Sequence, residues 1–178
     1  METRITGKAW VGGDNISTYD ITPQRRWNLD KMDPEELGKW AMEDADPAFA
    51  DKEGAFRDEG YSVVVAGACF GGGGKSIEHP IYALQGAGIK VVIADSFARF
   101  NFRNSVNNAL PAFTCPGLKE ITQTEDELTV DLLEGYVENH RTGVRTQLVP
   151  LTPFALELME AGGLIPYTKA KLKARAQH

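Results

Sequence analysis

The chain has 178 residues, 42% of them hydrophobic and 25% charged, with a formal net charge of −6 and a pI near 5.1. This is the profile of a soluble globular protein with length for one core, so a single domain over residues 1–178 is expected. An acidic chain without a basic run suits neither nucleic acid nor an anionic membrane, no stretch approaches the ~20 apolar residues of a membrane span, and two isolated cysteines, Cys69 and Cys115, form neither a disulfide framework nor a metal site.

No apolar segment stands behind Met1-Glu2-Thr3-Arg4, so no secretory signal is expected and a cytoplasmic enzyme or subunit is the default. Lys8–Val11 reads as a short strand, punctuated by a turn at Gly12-Gly13-Asp14-Asn15. Thr18 and Asp20 follow, placed either to contact a ligand or to cap the turn through side-chain to backbone hydrogen bonds. Arg25 and Arg26 can grip a carboxylate in bidentate fashion or form a solvated surface pair. Asp33-Pro34-Glu35-Glu36 opens a helix, with Asp33 as N-cap and Pro34 in the first turn, and its apolar spacing carries it to about Glu43. Residues 44–52 read as an acidic connection with no functional claim.

Tyr61–Ala66 is a buried strand, and Pro80–Ala87 is a short helix closed by Gly88. Between them runs Gly67-Ala68-Cys69-Phe70-Gly71-Gly72-Gly73-Gly74-Lys75-Ser76-Ile77-Glu78-His79. Consecutive glycines remove every Cβ where the backbone turns, and the helix that follows presents unpaired N–H groups. The combination suits a carboxylate or phosphate, with Lys75, Ser76, Glu78 and His79 at its mouth. A bare glycine-rich connection is the plainer reading. Gly74-Lys75-Ser76 imitates the end of a nucleotide-binding P-loop, but Gly71 and Gly74 are too close for that motif. Cys69, beside a buried strand, is expected to be a packed thiol.

Lys90–Ala94 is a second buried strand, which makes a parallel β-α-β unit. Asp95 or Ser96 is expected to cap the next helix, whose face is rich in asparagine and arginine: Arg99, Arg103, Asn104, Asn107 and Asn108. That face is either a polar exterior or a hydrogen-bonding wall. Leu128–Leu132 and Tyr136–Asn139 form a hairpin, Thr152-Pro153 opens a last clear helix ended by Gly162-Gly163, and the basic tail from Lys169 to His178 is a solvated or frayed helix.

Taken in order, Gly13-Asp14-Asn15-Ile16-Ser17-Thr18, the glycine loop with Ser76-Ile77-Glu78-His79, Ser96-Phe97-Ala98-Arg99-Phe100-Asn101-Phe102-Arg103-Asn104 and Glu160-Ala161-Gly162-Gly163-Leu164-Ile165-Pro166-Tyr167 resemble the small subunits of 3-isopropylmalate dehydratase, the swivel domain of the aconitase superfamily. The likeness covers almost the whole chain. It implies an α/β fold, a three-layer β/β/α swivelling domain. It implies a hydro-lyase active only with a large partner subunit, which carries a four-iron four-sulfur cluster as Lewis acid, and a small hydroxy di- or tricarboxylate as substrate. No metal or cofactor would be bound by this chain itself.

The resembling loops read Gly-x-Gly-Ser-Ser-Arg-Glu-His, with the first Ser as the base and the Arg on a substrate carboxylate. Aligned on Glu78-His79, those positions are Lys75 and Ile77, the second Ser is retained as Ser76, and the loop is one residue longer. The Asp after the Thr of the first motif falls on Tyr19, with Asp20 one place later. Three readings follow. Lys75 is the base; or Lys75 grips the carboxylate and Ser76 is the base; or the subunit has lost or changed catalysis and serves a different substrate or a structural role, such as that of a non-catalytic stabilising or regulatory subunit. The expected catalytic residues are Lys75 and Ser76, and the expected substrate contacts are Thr18, Asp20, Arg25, Arg26, Gly73, Gly74, Glu78 and His79. The resemblance also places an arginine near Arg25-Arg26, so loss of either is expected to raise KM.

Overall fold

The structure is a computed structural model that describes residues 2–27 and 32–176. Seven strands make one mixed sheet in the order β4-β3-β2-β1-β5-β6-β7. They are β1 Arg4–Val11, β2 Val63–Ala66, β3 Val91–Ala94, β4 Ala112–Thr114, β5 Glu127–Asp131, β6 Tyr136–Asn139 and β7 Val144–Gln147. β1 serves both halves of the sheet in succession. Its Arg4–Lys8 segment pairs antiparallel with β5, and Ala9–Val11 pairs parallel with β2.

Period-two alternation explains the two cores. Val64, Ala66, Val92 and Ala94 face the helices and join Trp10, Phe56, Phe70, Ile81 and Leu84. Val63, Val65, Val91 and Ile93 face the other way and share a core with Leu128, Val130 and Val137 of the antiparallel half. The result is the expected β/β/α layering. Strands β2 and β3 are buried on both faces, which is why they read as unbroken apolar runs.

The helices are α1 Thr18–Ile21, α2 Pro34–Gly38, α3 Ala55–Asp58, α4 His79–Gly86, α5 Arg99–Asn107, α6 Leu118–Ile121, α7 Pro153–Glu160 and α8 Leu164–Arg175. Asp33 caps α2 as expected, its side chain accepting from the Glu35 N–H. The helix ends earlier than its apolar spacing predicts. At Gly38 it crosses α4 so closely that a Cβ there would fall 2.3 Å from the carbonyl carbon of Gly86. The chain then turns, with Met42 in the left-handed region. β7 was not anticipated, because its residues alternate without an apolar face. The tail is a regular helix from Leu164 to Arg175, longer than the basic segment suggested.

Candidate active site

The site forms where β1, β2 and β3 all release their chains, at the carboxyl ends of parallel strands. After β2, the Gly67 N–H donates to the Gly13 carbonyl at 3.0 Å. The Asp14 carboxylate accepts from Lys119 Nζ at 2.8 Å and from the Ala68 N–H at 3.0 Å. These donors hold the Asp14 carboxyl below its ordinary range, Lys119 most strongly. Gly67 must be glycine, since a Cβ would sit 1.8 Å from Asp14 Oδ1. Ser96 ties in the loop after β3. Its hydroxyl accepts from the Cys69 N–H and its carbonyl from the Phe70 N–H, each at 2.9 Å. Asp95 accepts instead from the Gly117 N–H. Neither residue caps α5, whose N-cap is Ala98. The loop-to-loop hydrogen bonds outcompete the helix end that the sequence pattern offered.

Cys69 is exposed rather than packed, with φ of 59°. That left-handed conformation lets Phe70 enter the core in its place, 1% exposed. The glycine run then lies back across α1 and α5. The Gly71 N–H donates to the Ile16 carbonyl at 2.7 Å, and the Thr18 N–H donates to the Gly72 carbonyl at 3.2 Å. A recess of about 120 Å³ opens beside it, walled by Gly71 to Ile77 with Thr18, Ala98, Phe100, Asn101 and Asn104.

The asparagines of α5 form the wall. Asn104 Nδ2 donates to the Ile77 carbonyl at 2.9 Å, and Asn108 Nδ2 donates to Glu78 Oε1 at 3.0 Å. Asn101, one turn earlier, lies beneath Gly71. Positions 101, 104 and 108 are spaced i, i+3 and i+7, so they share one helix face. The sequence drew attention to an asparagine-rich helix, but Asn101 was not singled out; that spacing was the available signal.

The structure gathers Thr18, Gly73, Gly74, Lys75 and Ser76 at the recess. Lys75 and Ser76 are exposed, and among the described residues neither side chain has a hydrogen-bond partner or ion pair. The other expected contacts lie elsewhere. Asp20 closes a capping box on α1: it accepts from the Ser17 N–H at 2.7 Å, while Ser17 Oγ accepts from the Asp20 N–H. Arg25 meets Asp44 through two bonds of 2.7 Å. Arg26 meets Glu43 through two bonds of 3.0 and 2.7 Å, with its guanidinium over the Trp40 ring. Glu43 is a fully buried carboxylate, 2% exposed. Its bonds to Arg26 hold it ionised below the ordinary range. Glu78 turns toward Asn108 and away from the glycines. His79 stacks on Trp27 with ring centroids 4.9 Å apart. Burial pushes its imidazole below its ordinary pKa, partly opposed by Glu78, and neither ring nitrogen has a partner among the described residues.

No group of three or more His, Cys, Asp or Glu side chains is placed to hold a metal ion among the described residues. No described helix is long and apolar enough to cross a membrane.

Comparison with known proteins places this geometry. Residues 22–116 match the family model of the aconitase C-terminal domain. The chain is 44% identical to the 3-isopropylmalate dehydratase small subunit 1 of Methanopyrus kandleri, covering 95% of each protein. It is 41% identical to the isopropylmalate/citramalate isomerase small subunit of Methanocaldococcus jannaschii, covering 97% of this chain and 98% of that one. A crystal structure of 3-isopropylmalate dehydratase from M. jannaschii superposes with a TM-score of 0.82 at 28% identity, over 98% of both chains. With likeness of that extent in sequence and fold, the chain belongs to the 3-isopropylmalate dehydratase small-subunit family of the aconitase superfamily.

Proposed function

We propose that this chain is the small subunit of a cytoplasmic hydro-lyase that removes and restores water on a small hydroxy di- or tricarboxylate, working with a large partner subunit. The observation that carries this reading is the recess. It combines backbone N–H groups, a lone cation at Lys75 and a hydroxyl at Ser76, at the strand ends of a fold shared with named dehydratase subunits. The two cysteines of this chain cannot supply the thiolates of an iron–sulfur cluster: Cys69 is exposed and Cys115 buried beneath the sheet. The cluster is therefore assigned to the partner, where it would act as Lewis acid toward the departing hydroxyl.

The work left to this chain is to take a proton from the carbon beside a substrate carboxylate. Lys75 is assigned that role, with Ser76 beside it. A second arrangement is favoured by the exposure of Lys75 in this chain: there the ammonium grips the carboxylate and Ser76 takes the proton. The two differ in what arginine can replace. Arginine keeps the charge and suits a carboxylate, but it does not deprotonate. In the complex reconstituted with its large subunit, Lys75→Arg is expected to lose most of kcat. Near-parent turnover would move the base to Ser76. Absence of any hydratase activity in that complex would remove the proposal.

A further inference from the structure

Two side chains under the glycine loop carry polar atoms with nothing to bond. Asn101 is 3% exposed and Thr18 is 4% exposed. Oδ1 and Nδ2 of Asn101, and Oγ1 of Thr18, have no hydrogen-bond partner among the described residues. Each is covered by a glycine: a Cβ on Gly71 would fall 2.1 Å from Asn101 Cγ, and a Cβ on Gly74 would fall 1.8 Å from Thr18 Oγ1. Both residues line the recess. Buried polar groups are almost always paired, and an unpaired one destabilises the fold. The neighbours Asn104 and Asn108 are bonded on the same helix face; Thr22 and His79 are also buried without a partner among the described residues, but neither lines the recess.

We propose that Asn101, with Thr18, selects a substrate whose side arm carries an uncharged hydroxyl. An amide offers a donor and an acceptor, and a threonine hydroxyl does the same. A hydroxyl, which both donates and accepts, pairs with both. A carboxylate only accepts and leaves Asn101 Oδ1 facing an anion, and an alkyl arm leaves all three atoms unpaired. Among the described residues that line the recess, the one cation is Lys75, which is exposed and suits a carboxylate there with the neutral arm below it. The covering backbone can give way. This holds over Thr18, where Gly73 and Gly74 carry no Cβ and, among the described residues, the N–H groups of residues 73–76 donate to no acceptor; Gly71 over Asn101 is pinned by its bond to the Ile16 carbonyl, so Asn101 is met from the recess that it lines.

This assignment rests on the hydro-lyase reading, and its test separates the two. The complex reconstituted with the large subunit is given two malates, one with a 1-hydroxyethyl arm and one with the isosteric isopropyl arm. A site built to bond a hydroxyl discriminates strongly against its absence, so the hydroxylated acid is expected to lead in kcat/KM by about 100-fold. Asn101→Leu should erase that preference, and it should raise the melting temperature of the isolated subunit by about 2–6 °C by removing an unpaired buried amide. Absence of hydratase activity on any hydroxy di- or tricarboxylate overturns the hydro-lyase reading and this one with it, whereas activity on another such acid with turnover of neither malate overturns this assignment alone. Turnover of both at similar kcat/KM, or a preference for the isopropyl arm, overturns this assignment alone. A lowered melting temperature for Asn101→Leu also overturns it, since the amide would then be bonded in the free chain.

Discussion

The arginine clasp and the glycine recess treat buried polarity in opposite ways. In the clasp, a carboxylate taken fully from water, Glu43, is met by two bonds from Arg26, and Asp44 by two from Arg25. Both carboxylates there have partners within the chain. In the recess, Thr18 and Asn101 are as deeply buried and have none, and Lys75 stands in solvent without an anion among the described residues. On the proposed function, the difference separates polar groups that hold this fold from groups that meet a substrate. It also reassigns residue types: the arginine pair, the most chemically conspicuous feature of the first third of the chain, sits on the structural side.

Four measurements would break or sharpen that division. The largest effect is expected at Lys75. Lys75→Met should cut kcat of the reconstituted enzyme by about 10²–10⁴-fold, the usual loss when a base is removed, while the melting temperature stays at the parent value. A marked loss of stability instead would place Lys75 among the structural groups. Next is Arg26→Ala, which leaves the buried Glu43 only its 3.3 Å contact with Arg25 and should cost up to about 3–5 kcal/mol in denaturant unfolding. Arg25→Ala, half exposed with a partner at the surface, should cost no more than about 1 kcal/mol. Should Arg26→Ala instead leave stability unchanged and raise KM, the clasp would belong to the substrate.

The third test uses pH. Asp126 is buried and bonded by Arg141, with further bonds from the Gln123 N–H and Asn139. These hold its carboxyl down to about 2, against an ordinary 3.8. A depressed carboxyl stabilises the fold fully above its unfolded pKa and loses that contribution as pH falls toward the folded one. Melting temperature should therefore drop as pH falls from about 3.8 to about 2, and Asp126→Asn, less stable at neutral pH, should show a shallower drop. The smallest effect is expected at Asp20. As half of a capping box, Asp20→Ala should cost about 0.5–2 kcal/mol with KM unchanged; a raised KM at parent stability would return Asp20 to the substrate contacts.

What could be read from the sequence was what local chemistry determines. The apolar runs of β2 and β3, the N-cap at Asp33 and the strand–glycine–helix order of the loop depend on neighbours in the chain, and each stands where its pattern places it. What could not be read depends on distant partners. Asp95 and Ser96 look like caps in isolation, but contacts with residues 117 and 69–70 decide their roles. Glu43 reads in the sequence as the end of a helix and Asp44 as the start of a connection with no functional claim; only the fold brings Arg25 and Arg26 beside them. Asn101 differs from Asn104 and Asn108 only in what lies over it, and nothing in the helix itself records that Gly71 does.

The divided pairing of β1 also sets an order of events as the chain leaves the ribosome. Ala9–Val11 can meet β2 once residue 66 has emerged, but Arg4–Lys8 has no neighbour until β5, where Arg4 pairs with Asp131. Until then the nascent subunit displays an unpaired strand edge beside an unfinished core, the state most open to pairing with another chain. Pairings so distant in sequence form slowly. A nascent chain stalled before β5 should therefore draw chaperones or aggregate, although its entire glycine site has already been made.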